Sequence, residues 1–152
     1  MKIKVLYVDD EKFNLVGFKS AFRRTFDVYT AESASEGMEI LEEHPDMSVI
    51  ISDQRMPKMS GTAFFHVIKN KYPFAVRILL TGYTDMNDLV DAVNQGNIYK
   101  YLNKPWDEKV LHEVIKKSHE VYELRIKEHE DKKKLEEANG QLEFMLRQKL
   151  LS

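Results

Sequence analysis

The chain has 152 residues with a formal net charge of −2, and it contains no cysteine. Its length suits one domain with residues to spare. The balanced charge offers no clustered positive patch for nucleic acid, and the lack of cysteine excludes disulfides and thiolate metal sites.

Ile3 to Val8 reads as a first strand that ends in Asp9-Asp10-Glu11. Asn14 is a candidate cap for a helix with Leu15, Phe18, Phe22 and Phe26 on one face, at spacings of three and four. Val28-Tyr29-Thr30 forms a short second strand. Ser33 or Ser35 starts a second helix with Met38 and Leu41, which His44-Pro45 stops. Met47 to Ser52 is the third strand; its Val49-Ile50-Ile51 run reads as buried on both faces. Asp53 then stands where the strand becomes a loop, ahead of Pro57 and Gly61. A third helix follows Ser60-Gly61 with Phe64, Phe65, Val67 and Ile68, and ends before Pro73. Val76 to Leu80 is a fourth strand running into Thr81-Gly82. Asp85 opens a fourth helix with Leu89, Val90 and Val93, which Gly96 closes. Ile98 to Leu102 is the fifth strand, followed by Asn103-Lys104-Pro105-Trp106. From Asp107 onward the pattern is helical.

Five alternations of strand and helix predict an α/β fold with a doubly wound parallel sheet. Right-handed crossovers leave few topologies, and the flavodoxin-like (βα)5 order 2-1-3-4-5 is expected, with an extended C-terminal helix. No stretch reaches the ~20 apolar residues of a membrane span. Met1-Lys2-Ile3-Lys4 leads into a run too short, and too soon acidic, for a signal peptide. A cytoplasmic protein with no nucleic-acid or membrane partner is expected.

In that strand order the polar ends of strands one, three, four and five share one crevice. They carry Asp9 and Asp10, Asp53, Thr81 and Lys104. Singly, each has an ordinary explanation as a turn former, cap or surface charge. Together they make a specific chemical set. Three neighbouring carboxylates repel and raise at least one pKa unless a cation is present. Mg²⁺ suits such a site, since it takes one or two carboxylates, waters and a phosphate oxygen. A carboxylate there can act as nucleophile toward a phosphoryl group, with Lys104 and the metal neutralising the transferred charge. Thr81 can donate to a phosphoryl oxygen, and Gly82 leaves room for the donor.

Asp9-Asp10, Asp53 with Met56-Pro57 and Ser60-Gly61, Thr81-Gly82, and Tyr101 with Lys104-Pro105 resemble the receiver domain of two-component response regulators. The resemblance covers about three-quarters of the chain. It implies that Asp53 is the phosphoacceptor, served by a sensor histidine kinase or phosphotransfer protein. It implies that Asp10, Asp53 and the backbone carbonyl of Arg55 bind Mg²⁺ (or Mn²⁺) directly, with Asp9 acting through water. Lys104 would pair with the phosphoryl group, and the Lys104–Pro105 bond would be cis, an isomer that X–Pro bonds reach at ~0.5–1 kcal/mol. Tyr101 would be a rotamer switch following Thr81, altering the face made by the fourth helix, fifth strand and fifth helix. Gln54, Arg55 and Tyr83 would border the site. Trp106 is read as packing for the start of the last helix.

The domain is expected to span residues 1–122, and residues 123–152 to form a helical extension. Val110, Val114, Val121, Leu124, Leu135, Ala138, Leu142 and Met145 fall on steps of three and four, a heptad seam that Lys117, Glu128 and Asp131 interrupt. Val110, Leu111, Val114 and Ile115 are expected in the domain core. Beyond Tyr122 a lone polar helix is marginal in water. A parallel coiled-coil homodimer is therefore expected, with Gly140 and Asn139 weakening the seam. No output domain fits in the remaining residues, so a downstream domain outside this chain, or action through the helix alone, is expected.

Two other classes compete. An aspartate-nucleophile phosphatase of the haloacid-dehalogenase type needs a second aspartate two residues after the first, where this chain has Arg55. A phosphorylation-independent dimerisation module would not need the complete set of site residues. A nucleotide-binding protein lacks support, since no glycine-rich loop follows the first strand. The domain is not expected to be a turnover enzyme by itself.

Overall fold

The computed structural model describes residues 2–82 and 86–151, with the backbone alone for 86–88. The chain divides into two compact units, residues 1–122 and 123–152.

In the first unit, β1 (Lys4–Val8), β2 (Asp27–Ala31), β3 (Val49–Asp53), β4 (Val76–Thr81) and β5 (Lys100–Asn103) form one sheet of order β2-β1-β3-β4-β5. All four pairings are parallel. Between them run α1 (Lys12–Phe22), α2 (Ala34–Glu43), α3 (Gly61–Ile68) and α4 (Met86–Asn94), and α5 starts at Glu108. The α/β architecture and strand order are those expected from the alternation.

Successive strand residues face opposite sides, so each strand feeds two cores. Leu6, Val8, Ile50 and Leu79 pack with Leu41, Phe64, Phe65, Ile68 and Leu89 of α2, α3 and α4. Val5, Tyr7, Val49, Ile51, Ile78 and Leu80 pack with Leu15, Phe18 and Phe22 of α1 and Leu111, Val114 and Ile115 of α5. Both faces are covered, which is why the central strands read as continuous apolar runs.

Several boundaries depart from the sequence expectation. Glu11 rather than Asn14 occupies the N-cap of α1, and Asn14 lies within the first turn. Its amide is used by an acidic neighbour, described below. Phe26 lies beyond the end of α1, yet its ring is buried against that core. Ser33, of the two candidates, caps α2: its Oγ accepts from the Glu36 amide at 3.1 Å. β5 begins at Lys100 instead of Ile98, which is buried in the connection ahead of it. Val110 is exposed, because it falls on the outer face of α5 one residue from Leu111.

The end of α4 explains Gly96. Its amide donates to Val93 O at 3.1 Å and the Asn97 amide to Ala92 O at 2.9 Å, a Schellman arrangement that needs the left-handed φ of +71° found at Gly96. Asp85, expected to open α4, lies outside the described residues.

The second unit is helical from residue 123 to 151, the continuation of α5 (Glu108–Leu151). Gly140 and Asn139 do not interrupt the helix. Leu124, Leu135, Leu142 and Met145 are all more than half exposed.

Candidate functional site

Parallel strands all end on the same edge, and that edge gathers the polar residues. Asp9 follows β1, Asp53 closes β3, Thr81 closes β4 and Lys104 follows β5. Carboxylate oxygens of Asp9, Asp10 and Asp53 lie within 4.8 Å of one another. Lys104 Nζ bridges two of them, at 3.2 Å from Asp9 Oδ2 and 3.1 Å from Asp53 Oδ1.

Asp9 is fully buried and heavily hydrogen-bonded. Tyr7 Oη donates to its Oδ2 at 2.6 Å, Asn14 Nδ2 to the same oxygen at 3.1 Å, and the Glu11 amide to Oδ1 at 3.0 Å. Burial pushes the Asp9 carboxyl up, but Tyr7, Glu11, Lys104 and Asn14 outweigh it and hold it below the usual carboxylate range. Burial likewise pushes the Tyr7 hydroxyl up, so it stays a donor. From the sequence alone Tyr7 reads as strand core rather than as a site residue. The available signal was its place two residues before Asp9 on a strand, which puts both side chains on one face. Asn14 serves Asp9 here in place of the capping role its sequence position predicts.

Asp53, 9% exposed, differs. Burial raises its carboxyl pKa, Lys104 lowers it, and Asp9 adds to the rise; the balance is upward. Lys104 is held charged: burial would lower its pKa, but Asp53 and Asp9 more than offset that. Asp9, Asp10 and Asp53 cluster while Lys104 pairs with Asp9 and Asp53, leaving local charge that suits a divalent cation with oxygen ligands. The exposed Asp10 gives that site an open side.

The other expected residues are placed as follows. Thr81 is buried, and its Oγ1 donates to Gly82 O at 3.0 Å. Gly82 itself is exposed. Lys104–Pro105 is cis. Tyr101 is 42% exposed on β5, and Arg55 is exposed in the loop after β3. The Gln54 side chain bonds Thr62 at the start of α3, with Nε2 donating to Oγ1 at 3.2 Å and Oε1 accepting from the Thr62 amide at 2.9 Å. Tyr83 lies outside the described residues. Trp106 packs against α1, its ring 6.1 Å from Phe18 and 5.7 Å from Phe22 between centroids.

This sheet order with this site defines a class, and residues 5–116 match the response regulator receiver domain family. The chain belongs to that family. It is 36% identical over 121 residues to the hydrogenase transcriptional regulatory protein HoxA of Cupriavidus necator, covering 80% of this chain and 25% of that one. It is 38% identical over 82 residues to the DNA-binding transcriptional regulator NtrC of Escherichia coli, covering 51% of this chain and 17% of the other. The chain thus spans about a quarter or less of these relatives. Among solved structures, a receiver domain protein from Clostridium thermocellum superposes with a TM-score of 0.75 at 32% identity, covering 80% of this chain and 97% of that one. A Rhodopirellula baltica structure described as an adenylate cyclase gives 0.83 at 31% identity, covering 88% of this chain and 99% of that one.

Proposed function

We propose that Asp53 is the phosphoacceptor of a receiver that takes a phosphoryl group from a sensor histidine kinase or phosphotransfer protein. The observation that carries this reading is that Asp53 clusters with the Asp9 and Asp10 carboxylates and shares with Asp9 the Lys104 ammonium, 3.1 Å away. An Asp53 carboxylate oxygen attacks phosphorus, the donor's histidine nitrogen leaves, and an acyl phosphate forms. Lys104 stays within reach to neutralise charge on the transferred group. Asp10, Asp53 and the Arg55 carbonyl would hold Mg²⁺ (or Mn²⁺). Asp9, whose oxygens already accept four hydrogen bonds, would act through water. The metal supplies charge neutralisation at the phosphoryl oxygens.

Thr81 is the switch hydroxyl in this reading. It gives up its bond to Gly82 O to donate to the phosphoryl group, Tyr101 turns inward from its exposed position, and the face of α4, β5 and α5 changes. Gln54, Arg55 and Tyr83 border the site. Residues 1–122 are the receiver. Residues 123–152 form a homodimeric coiled coil through Leu124, Leu135, Leu142 and Met145. The signal then passes to an output partner or domain in a cytoplasmic regulator. The much greater length of HoxA and NtrC supports a regulator with an output domain.

Incubation with acetyl phosphate and Mg²⁺, followed by intact mass, tests the central step. One added phosphoryl group, lost in Asp53→Asn and without Mg²⁺, is expected. If no group is added, and beryllofluoride with Mg²⁺ leaves the backbone NMR signals around Asp53 and Thr81 unmoved, the phosphorylation-independent dimerisation reading replaces this one. The phosphatase reading has Arg55 where its acid should stand.

A further inference from the structure

We infer that Gln54 is a positioning residue for the divalent cation: it pins shut the loop that carries Arg55, and so sets the affinity of the metal site. This rests on the reading of Asp10, Asp53 and the Arg55 carbonyl as metal-binding groups.

Gln54 follows Asp53 directly and is 5% exposed. Its amide donates to Leu80 O at 3.0 Å, which keeps it in register with β4. Everything else it has goes to the first turn of α3. Its carbonyl accepts from the Gly61 amide at 3.0 Å, its Oε1 from the Thr62 amide at 2.9 Å, and its Nε2 donates to Thr62 Oγ1 at 3.2 Å. A helix start leaves amides without intrahelical partners. Here Gln54 takes two of them, and Ser60 Oγ takes a third, from Ala63 at 3.2 Å.

The result is a closed loop over residues 55–60 whose two feet are bonded to each other through one residue. The loop is under tension. Lys58 has a φ of +70°, unfavourable for a side chain bearing Cβ, with Met59 N donating to Pro57 O at 2.8 Å across it. Such strain persists only where the surroundings over-determine the backbone. Leucine at position 54 would fill the space but leave the Thr62 amide without its acceptor and the foot of the loop with one bond instead of three. β3 would keep its register, since Asp53 pairs with Leu80. The Arg55 carbonyl, one residue along, would lose its fixed position. Helix capping alone would make Gln54 a matter of stability. Its bond to both feet of the loop makes it a matter of metal affinity.

The test is titration calorimetry with Mg²⁺ on the full chain, for wild type, Gln54→Leu, Thr62→Ala and Thr62→Ser, beside thermal melts in chelator. Gln54→Leu is expected to weaken Mg²⁺ about tenfold, the lower end of what outer-shell partners are worth. Thr62→Ala should weaken it less, and Thr62→Ser, which keeps the hydroxyl, should restore it. A folded Gln54→Leu protein that melts earlier but binds Mg²⁺ as tightly as wild type overturns the inference. Should Gln54→Leu not fold, unchanged affinity in Thr62→Ala overturns it equally. Wild type that takes Mg²⁺ but never a phosphoryl group sinks the phosphoacceptor reading instead, and the affinity comparison still decides the role of Gln54.

Discussion

Asp9 and Asp53 lie in one crevice and share Lys104, yet their carboxyls shift in opposite directions. Asp9 is held low by its donors, so the stability it contributes exists above the unfolded carboxylate range and is lost as pH falls. Asp53 is raised, mainly by burial, so folding penalises its ionised form and stability is lost as pH rises through its folded pKa. Asp53→Asn removes that penalty. In chelator at neutral pH the variant should melt higher than wild type. The difference should vanish near the acid end of the carboxylate range, where both are neutral. Mg²⁺ should raise the melting temperature of wild type more than that of the variant. Thermal melts across pH, with and without Mg²⁺, check both signs. A site tuned for chemistry at a cost in stability accounts for the pattern.

At the scale of elements, the start of α3 packs closely on the end of β3. A Cβ on Gly61 would stand 2.5 Å from the backbone oxygen of Asp53 and 2.7 Å from Leu79 Cδ1. The leucine can move; the Asp53 carbonyl belongs to the strand. Gly61→Ala should therefore cost about 1–3 kcal/mol by denaturant unfolding and slow phosphorylation by displacing Asp53. Ser33→Ala, which removes the α2 cap on the Glu36 amide, should cost about 1 kcal/mol and leave phosphorylation by acetyl phosphate unchanged. The contrast separates loss of stability from loss of geometry. Trp106, the single tryptophan, packs on Phe18 and Phe22 and gives both experiments an intrinsic fluorescence signal.

At the scale of the whole molecule, both core clusters lie within residues 1–122. A chain ending after Tyr122 should keep its melting temperature within a few degrees and still accept a phosphoryl group. The leucines beyond it are more than half exposed, and covering them takes a partner. If a second copy supplies one, helix content in residues 123–151 should rise with protein concentration. Circular dichroism of the full and shortened chains over a hundredfold dilution measures the difference. Concentration-independent spectra would remove the dimer. No helix among the described residues is long and apolar enough to cross a membrane.

What the sequence determined was periodic and local. The run Val49-Ile50-Ile51, the alternation of two periods and the terminal aspartates specified a parallel sheet and the edge that gathers the carboxylates, because burial on both faces and strand-end placement follow from side-chain direction alone. The C-cap at Gly96 was legible for the same reason: only a left-handed φ ends a helix that way. The tertiary structure decided which partner each polar group chose. Asn14 reads equally well as a cap or as a donor to Asp9, and Gln54 as a site neighbour or as the tie to Thr62. Tyr7 reads as core until Asp9 is seen two residues along on the same buried face. A polar side chain offers several bonds of similar strength, and burial makes each unmet one costly, so the choice belongs to the packed arrangement of neighbours distant in the chain.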